Sequence, residues 1–128
     1  MELKVKSGSR TQLIDITSDV QASLREAGVR DGLCMIYVPH TTAAVTINEN
    51  ADPTVKADIL KILNQVIPFE ANYGHMEGNS AAHIKSTLVG ASELVAVRNG
   101  KLQLGTWQGI FFCEFDGPRR RRVHLHMR

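Results

Sequence analysis

Aromatic residues are scarce in this chain, at 5% of 128 positions. Binding single-stranded nucleic acid by stacking needs rings interleaved with cations, whereas Phe111, Phe112 and Phe115 lie together in an apolar segment. The composition therefore speaks against nucleic acid as a partner. Cysteine is scarcer still: Cys34 and Cys113 each sit inside an apolar stretch, too few for a disulfide framework and suited to buried free thiols in a reducing cytosol. Fifteen basic residues against thirteen acidic ones leave a formal charge of +2, so the chain as a whole carries no electrostatic footprint for nucleic acid or a membrane surface. No apolar run approaches the roughly 20 residues that a spanning helix needs. Residues 1–10 alternate apolar with charged and lack the apolar block of a secretory signal, so neither export nor membrane insertion is expected and a cytoplasmic location is.

What is present reads as one domain over residues 1–128, with 43% hydrophobic and 22% charged residues, near the globular averages. Residues 3–5 and 12–16 predict strands around Ser7-Gly8-Ser9. Ser18 with Gln21 has the form of a capping box opening a helix that Gly28 closes. Residues 32–39 and 43–47 read as interior strands. Asp52 before Pro53 marks a helix start, and Val55, Ile59, Ile62, Leu63 and Val66 continue it at helical spacing. After a polar loop over residues 69–78, Asn79 or Ser80 opens a short helix ending near Gly90. Strands follow at 94–97, 101–104, 108–115 and 123–127, with Asn99-Gly100 as a type I′ turn. The expected fold class is α+β: a mixed, largely antiparallel sheet, sandwich or barrel-like, covered by two or three helices.

Three segments hold more ionisable chemistry than a core requires. They are His40-Thr41-Thr42 with Asn48-Glu49-Asn50-Ala51-Asp52, His75-Met76-Glu77-Gly78-Asn79 through His83, and Glu114-Phe115-Asp116-Gly117-Pro118-Arg119. Strand ends joined by short loops tend to converge on one rim. His40, His75 and His83 could supply the three ligands of an open divalent-metal site, with Glu49, Asp52 and Glu77 nearby. The plainer alternative is that each histidine satisfies a local hydrogen bond and Asp52 caps a helix. There is no His-Glu-x-x-His, Gly-x-Ser-x-Gly, phosphate-binding glycine loop or dinucleotide fingerprint. Gly78-Asn79-Ser80 at a helix start could offer amides to an anion.

The four arginines at 119–122 read by default as a solvated hairpin end. On the last strand His124 and His126 alternate with Val123, Leu125 and Met127, which turns them toward solvent or a neighbouring subunit.

With these residues in view, the chain resembles the YjbQ family, also described as secondary thiamine-phosphate synthases. The likeness runs over almost the full length through His40-Thr41-Thr42-Ala43-Ala44, Asn48-Glu49-Asn50-Ala51-Asp52-Pro53, His75-Met76-Glu77-Gly78-Asn79, Ala82-His83-Ile84-Lys85-Ser86, Leu104-Gly105-Thr106-Trp107-Gln108 and Glu114-Phe115-Asp116-Gly117-Pro118-Arg119. The resemblance implies a homotrimer with a polar cleft near the subunit interface, a divalent metal (zinc or magnesium) and thiamine-phosphate synthase activity on small phosphorylated substrates.

On that reading His40, His75 and His83 hold the metal. Glu49, Asp52, Glu77 and Ser86 orient ligands or move protons, and Thr41, Thr42, Asn50, Asn79, Lys85, Gln108 and Arg119 receive anionic groups. Two alternatives keep the same residues: a metal-dependent hydrolase of a small phosphorylated substrate, and a non-catalytic trimer that binds a metabolite or metal.

Overall fold

The computed structural model describes residues 1–128. Its elements are β1 (Glu2–Lys6), β2 (Gln12–Asp15), α1 (Thr17–Ala27), β3 (Gly32–Tyr37), β4 (Ala43–Glu49), α2 (Pro53–Val66), α3 (Ser80–Val89), β5 (Ser92–Arg98), β6 (Lys101–Leu102), β7 (Gln108–Glu114) and β8 (Arg120–Met127). Five strands form one sheet in the order β1-β8-β3-β5-β6, and three form a second in the order β2-β7-β4. Every strand pairing is antiparallel, and with three helices the fold is α+β, as the sequence pattern implies.

Side-chain alternation determines the layers. In β3, Cys34 and Ile36 point inward while Leu33, Met35 and Tyr37 are exposed. The inward residues join Val95, Val97, Val123 and Leu125 of the same sheet and meet Ala43, Val45, Ile110 and Phe112 of the three-stranded sheet. The opposite face of that second sheet offers Leu13, Ala44, Phe111 and Cys113 to Ala82 of α3 and to Ile59, Leu60 and Leu63 of α2. β7 is thus covered on both sides, which explains its unbroken apolar run. Each of its large side chains contributes roughly 2 kcal/mol by leaving water. Ile16, Val20 and Leu24 place α1 against the sheet-to-sheet core.

Several local devices differ from the expected ones. The Ser18 capping box does not form: α1 begins at Thr17, the Asp15 carboxylate accepts from the Thr17 amide at 2.9 Å, and Gln21 instead bonds Gly100 O and Leu102 N. Asp52 does cap α2, accepting from Thr54 N at 2.9 Å behind Pro53. Asn99 and Gly100 both have positive φ, 52° and 73°, as a type I′ turn requires. The last strand starts at Arg120 rather than Val123, because β1 pairs with it from Lys6↔Arg120 onward. Arg120, Arg121 and Arg122 are therefore strand, with only Arg119 left in the exposed turn, and they split by alternation: Arg120 and Arg122 face out while Arg121 is 4% exposed.

Candidate functional site

β4 rises about 3.4 Å per residue, so its two ends lie roughly 20 Å apart. That length divides the residues expected on one rim. His40, Thr41 and Thr42 precede the start of β4, whereas Glu49 ends it beside Gln108 of β7, and Asn50 and Asp52 follow. At this far end Asn50 Nδ2 donates to Asp15 Oδ2 at 3.1 Å, and Gln108 Oε1 accepts from Gly105 N at 2.7 Å. Glu49, Asn50, Asp52 and Gln108 thus lie at the end of β4 away from His40.

The histidine end is built where β3 stops. The β3–β8 ladder closes at Tyr37↔His124, and beyond it the His40 ring replaces a strand: Arg122 N donates to His40 Nε2 at 3.0 Å. Burial, followed by the charges of Arg121 and Arg122, holds the His40 pKa below its ordinary value. The ring is neutral with Nε2 as acceptor, so Nδ1 carries the proton and presents a donor. His40 shares a cleft of about 420 Å³ with Thr41, His83, Ser86 and Thr87. His83 lies on α3, and the His75 ring stands against it edge-on, with centroids 5.6 Å apart and planes at 89°. Glu77 Oε2 is 3.8 Å from His75 Nε2.

The remaining expected residues have definite roles. Ser86 Oγ donates to Ala82 O at 2.8 Å, so the hydroxyl is engaged within its own helix. Lys85 turns inside, 2% exposed, with Nζ 2.6 Å from Asn64 Oδ1. Burial, with help from Arg10, lowers its pKa. Asn79 Nδ2 donates to Asp116 Oδ2 at 2.9 Å, and Arg119 Nη2 donates to the same oxygen at 3.0 Å. Asn79 Oδ1 is buried without a hydrogen-bond donor.

Thr42 is buried beneath the cleft. Its Oγ1 and carbonyl accept from Arg121 Nη2 at 2.9 and 3.2 Å. Arg121 in turn grips the fully buried Glu114 through Nε at 3.0 and 3.1 Å and through Nη2. Ser7 Oγ and Asp116 N also donate to that carboxylate. Burial alone would raise the Glu114 pKa, but the bonds from Arg121 and Ser7 override it and keep the carboxyl ionised below its ordinary value. A Cβ on Gly117 would lie 2.3 Å from Ser9 O and 2.7 Å from Ser7 Oγ, which explains glycine in the turn behind this network. Glu114 and Asp116 lie in a segment that the sequence singles out but are assigned no role by it, and Arg121 enters only as one of the four arginines at 119–122. The clue was the compact Glu-Phe-Asp-Gly-Pro-Arg string, whose acidic residues have no helix to cap.

No three His, Cys, Asp or Glu side chains come close enough within one chain to hold a metal together. Of the histidines singled out in the sequence, His75 and His83 pack together, with Glu77 beside His75. No helix is long and apolar enough to cross a membrane.

Comparison with known proteins gives a consistent likeness along the whole chain. The family model described as UPF0047 protein YjbQ-like matches residues 1–128. UPF0047 protein YugU of Bacillus subtilis is 56% identical over 126 residues, covering 98% of this chain and 96% of that protein. A UPF0047 protein of Methanocaldococcus jannaschii is 55% identical over 122 residues, covering 95% and 88%. Among solved structures, an uncharacterised YjbQ/UPF0047 protein of Clostridium acetobutylicum superposes with a TM-score of 0.98 at 52% identity, covering 100% and 99% of the two chains. A hypothetical protein of Aeropyrum pernix gives 0.96 at 39% identity, covering 100% and 96%.

Proposed function

The chain belongs to the YjbQ-like UPF0047 family, and on that premise we propose that it is an enzyme acting on small phosphorylated substrates in the cleft between His40 and α3. The reaction proposed is thiamine-phosphate synthesis. The bond from a pyrimidine methylene carbon to its diphosphate oxygen breaks, diphosphate leaves with the electron pair, and the nitrogen of a thiazole phosphate forms the new bond to carbon. The observation that carries this reading is the convergence of His40 and His83 on one cleft with His75 packed against His83.

His40 is a positioning donor: its Nδ1–H is free to bond a phosphate oxygen because Nε2 is held by Arg122 N. His75, His83 and Glu77 are the residues to hold a divalent ion, with substrate oxygens or another copy of the chain completing its ligands. Such an ion, when bound, would neutralise charge on the leaving diphosphate. Thr41, which lines the cleft, is a hydroxyl donor for a substrate oxygen, and Arg119, its half-exposed guanidinium paired with Asp116, is the cation to receive an anionic group. Assembly as a homotrimer would give cover to Leu33, Met35, Tyr37 and Leu94, which are exposed on β3 and β5 at the far side of that sheet from β1. Two buried free thiols suit a cytosolic location.

The test is product analysis on the purified chain with both precursors and either zinc or magnesium, alongside elemental mass spectrometry of His75→Ala and His83→Ala. Thiamine phosphate and diphosphate should form in equal amounts, and both variants should lose metal and product together. Release of phosphate without a coupled product would assign a hydrolase instead, and tight binding without turnover a carrier. Undiminished metal in either variant would overturn the ligand assignment.

A further inference from the structure

Four cations on β1 and β8 extend their side chains away from the cleft described above, although the Arg122 backbone amide holds His40 there. Lys4 lies directly across from Arg122, and Lys6 directly across from Arg120. Directly opposed side chains of an antiparallel pair share a face, and like charges placed so destabilise the strands that carry them. All four are exposed, and the only carboxylate among them is Glu2, which is 4.0 Å from Arg122 Nη1 and 3.6 Å from His124 Nε2. Lys4, Lys6 and Arg120 take part in none of the molecule's ion pairs. This face is concave, and with His40 closing one side it forms a groove of about 470 Å³.

Two consecutive repulsive pairs along one edge ribbon are a liability that an anion lying between them would remove. The pairs stand two residues apart along the strands, about 7 Å. One phosphate sits at one pair, whereas two linked phosphates offer enough oxygens for the long, flexible side chains of both pairs to bond at once. We propose that the β1–β8 groove binds a diphosphate group, either as free inorganic diphosphate or at the end of a diphosphate ester. The groove is lined by no Phe, Tyr or Trp on which a nucleobase could stack, and its one ring, His40, is held edge-bound by Arg122 N, so a small polyphosphate fits it better than RNA. His40 walls both this groove and the cleft, but the inference rests on the charge arrangement and not on the reaction proposed above.

Calorimetric titration of the full-length chain, without added metal and at fixed ionic strength, tests it. Inorganic diphosphate should bind at least about tenfold more tightly than orthophosphate, as two engaged pairs imply. Lys6→Ala and Arg120→Ala should each weaken diphosphate binding about tenfold and flatten its salt dependence, without lowering the thermal midpoint. Lys61→Ala, which removes an exposed cation on α2 outside the groove, should bind diphosphate as the unmodified chain does, so that a loss confined to Lys6→Ala and Arg120→Ala places the anion in the groove. Methyl diphosphate binding as tightly as the free anion would identify an ester as the ligand, and weaker binding the free anion. Equal affinity for orthophosphate and diphosphate, or variants that bind undiminished, would overturn the proposal. So would a single-stranded RNA oligonucleotide that displaces diphosphate at lower concentration.

Discussion

Replacing Arg121 with methionine tests the buried network beneath the cleft. The side chains are similar in length, so the void is small and the main effect is to leave the Glu114 carboxylate, 0% exposed, without its cation. Breaking a buried ion pair by removing one member destabilises by about 3–5 kcal/mol. For a domain of this size each kcal/mol moves the thermal midpoint by about 3–5 °C, so Arg121→Met should melt roughly 10–20 °C lower near pH 7. The pH dependence supplies the sharper criterion. In the unmodified chain the Glu114 pKa is held below its ordinary value, so its contribution is present above the unfolded pKa and is lost as pH falls through the folded one. Without Arg121, burial dominates and raises the carboxyl. The folded state then binds the extra proton, and stability is lost as pH rises. The gap between the two melting curves should therefore narrow from about pH 7 to about pH 4. The double variant Glu114→Gln with Arg121→Met should recover much of the loss. A gap of the same size at both pH values, or one under about 1 kcal/mol at neutrality, would refute the account of this network.

Asp15→Ala should destabilise by about 1 kcal/mol, since it removes the acceptor for Thr17 N and Asn50 Nδ2 at the start of α1. Burial would raise the Asp15 carboxyl, but its bonds from Thr17 outweigh that and lower it, so denaturant midpoints of variant and parent should converge as pH falls below the ordinary carboxylate range. Cys113, buried and with its thiol pushed up to about 12 by burial and then by the charge of Glu93, should resist iodoacetamide in the native protein and react on unfolding. Mass spectrometry that finds rapid native alkylation of Cys113 would contradict the two-sided covering of β7.

Much of the fold is legible along the chain because it rests on local signals. The apolar run ending at Glu114 marks a strand covered on both faces, Asp52-Pro53 marks the start of α2, and Asn99-Gly100 marks a hairpin turn. What escapes such reading depends on long-range register. The Ser18–Gln21 spacing fits a capping box, yet Gln21 serves the β6 hairpin, some 80 residues away in sequence. Arg121 looks like one of four solvated cations until β8 turns it inward onto Glu114. Lys85 is polar by composition, and only the packing of α3 near α2 sends its amine to Asn64. The candidate site suffered most from this. His40 and Glu49 are nine positions apart, and proximity in sequence suggested a shared rim, but β4 runs straight between them and sets them at opposite ends.

β8 lies between β1 and β3, and through Arg121 it also bonds Glu114 on the other sheet. During synthesis, the ribosome delivers residues 2–6 more than a hundred residues before the strand they pair with. Until residues 120–127 emerge, β1 has no neighbour, Cys34 and Ile36 lack their β8 cover, and Glu114 has no cation. The nascent chain is therefore expected to stay incompletely closed through most of translation, with loop closure of the largest span coming last. During that interval the exposed edge of β3 is an opening for chaperones and for unwanted strand pairing.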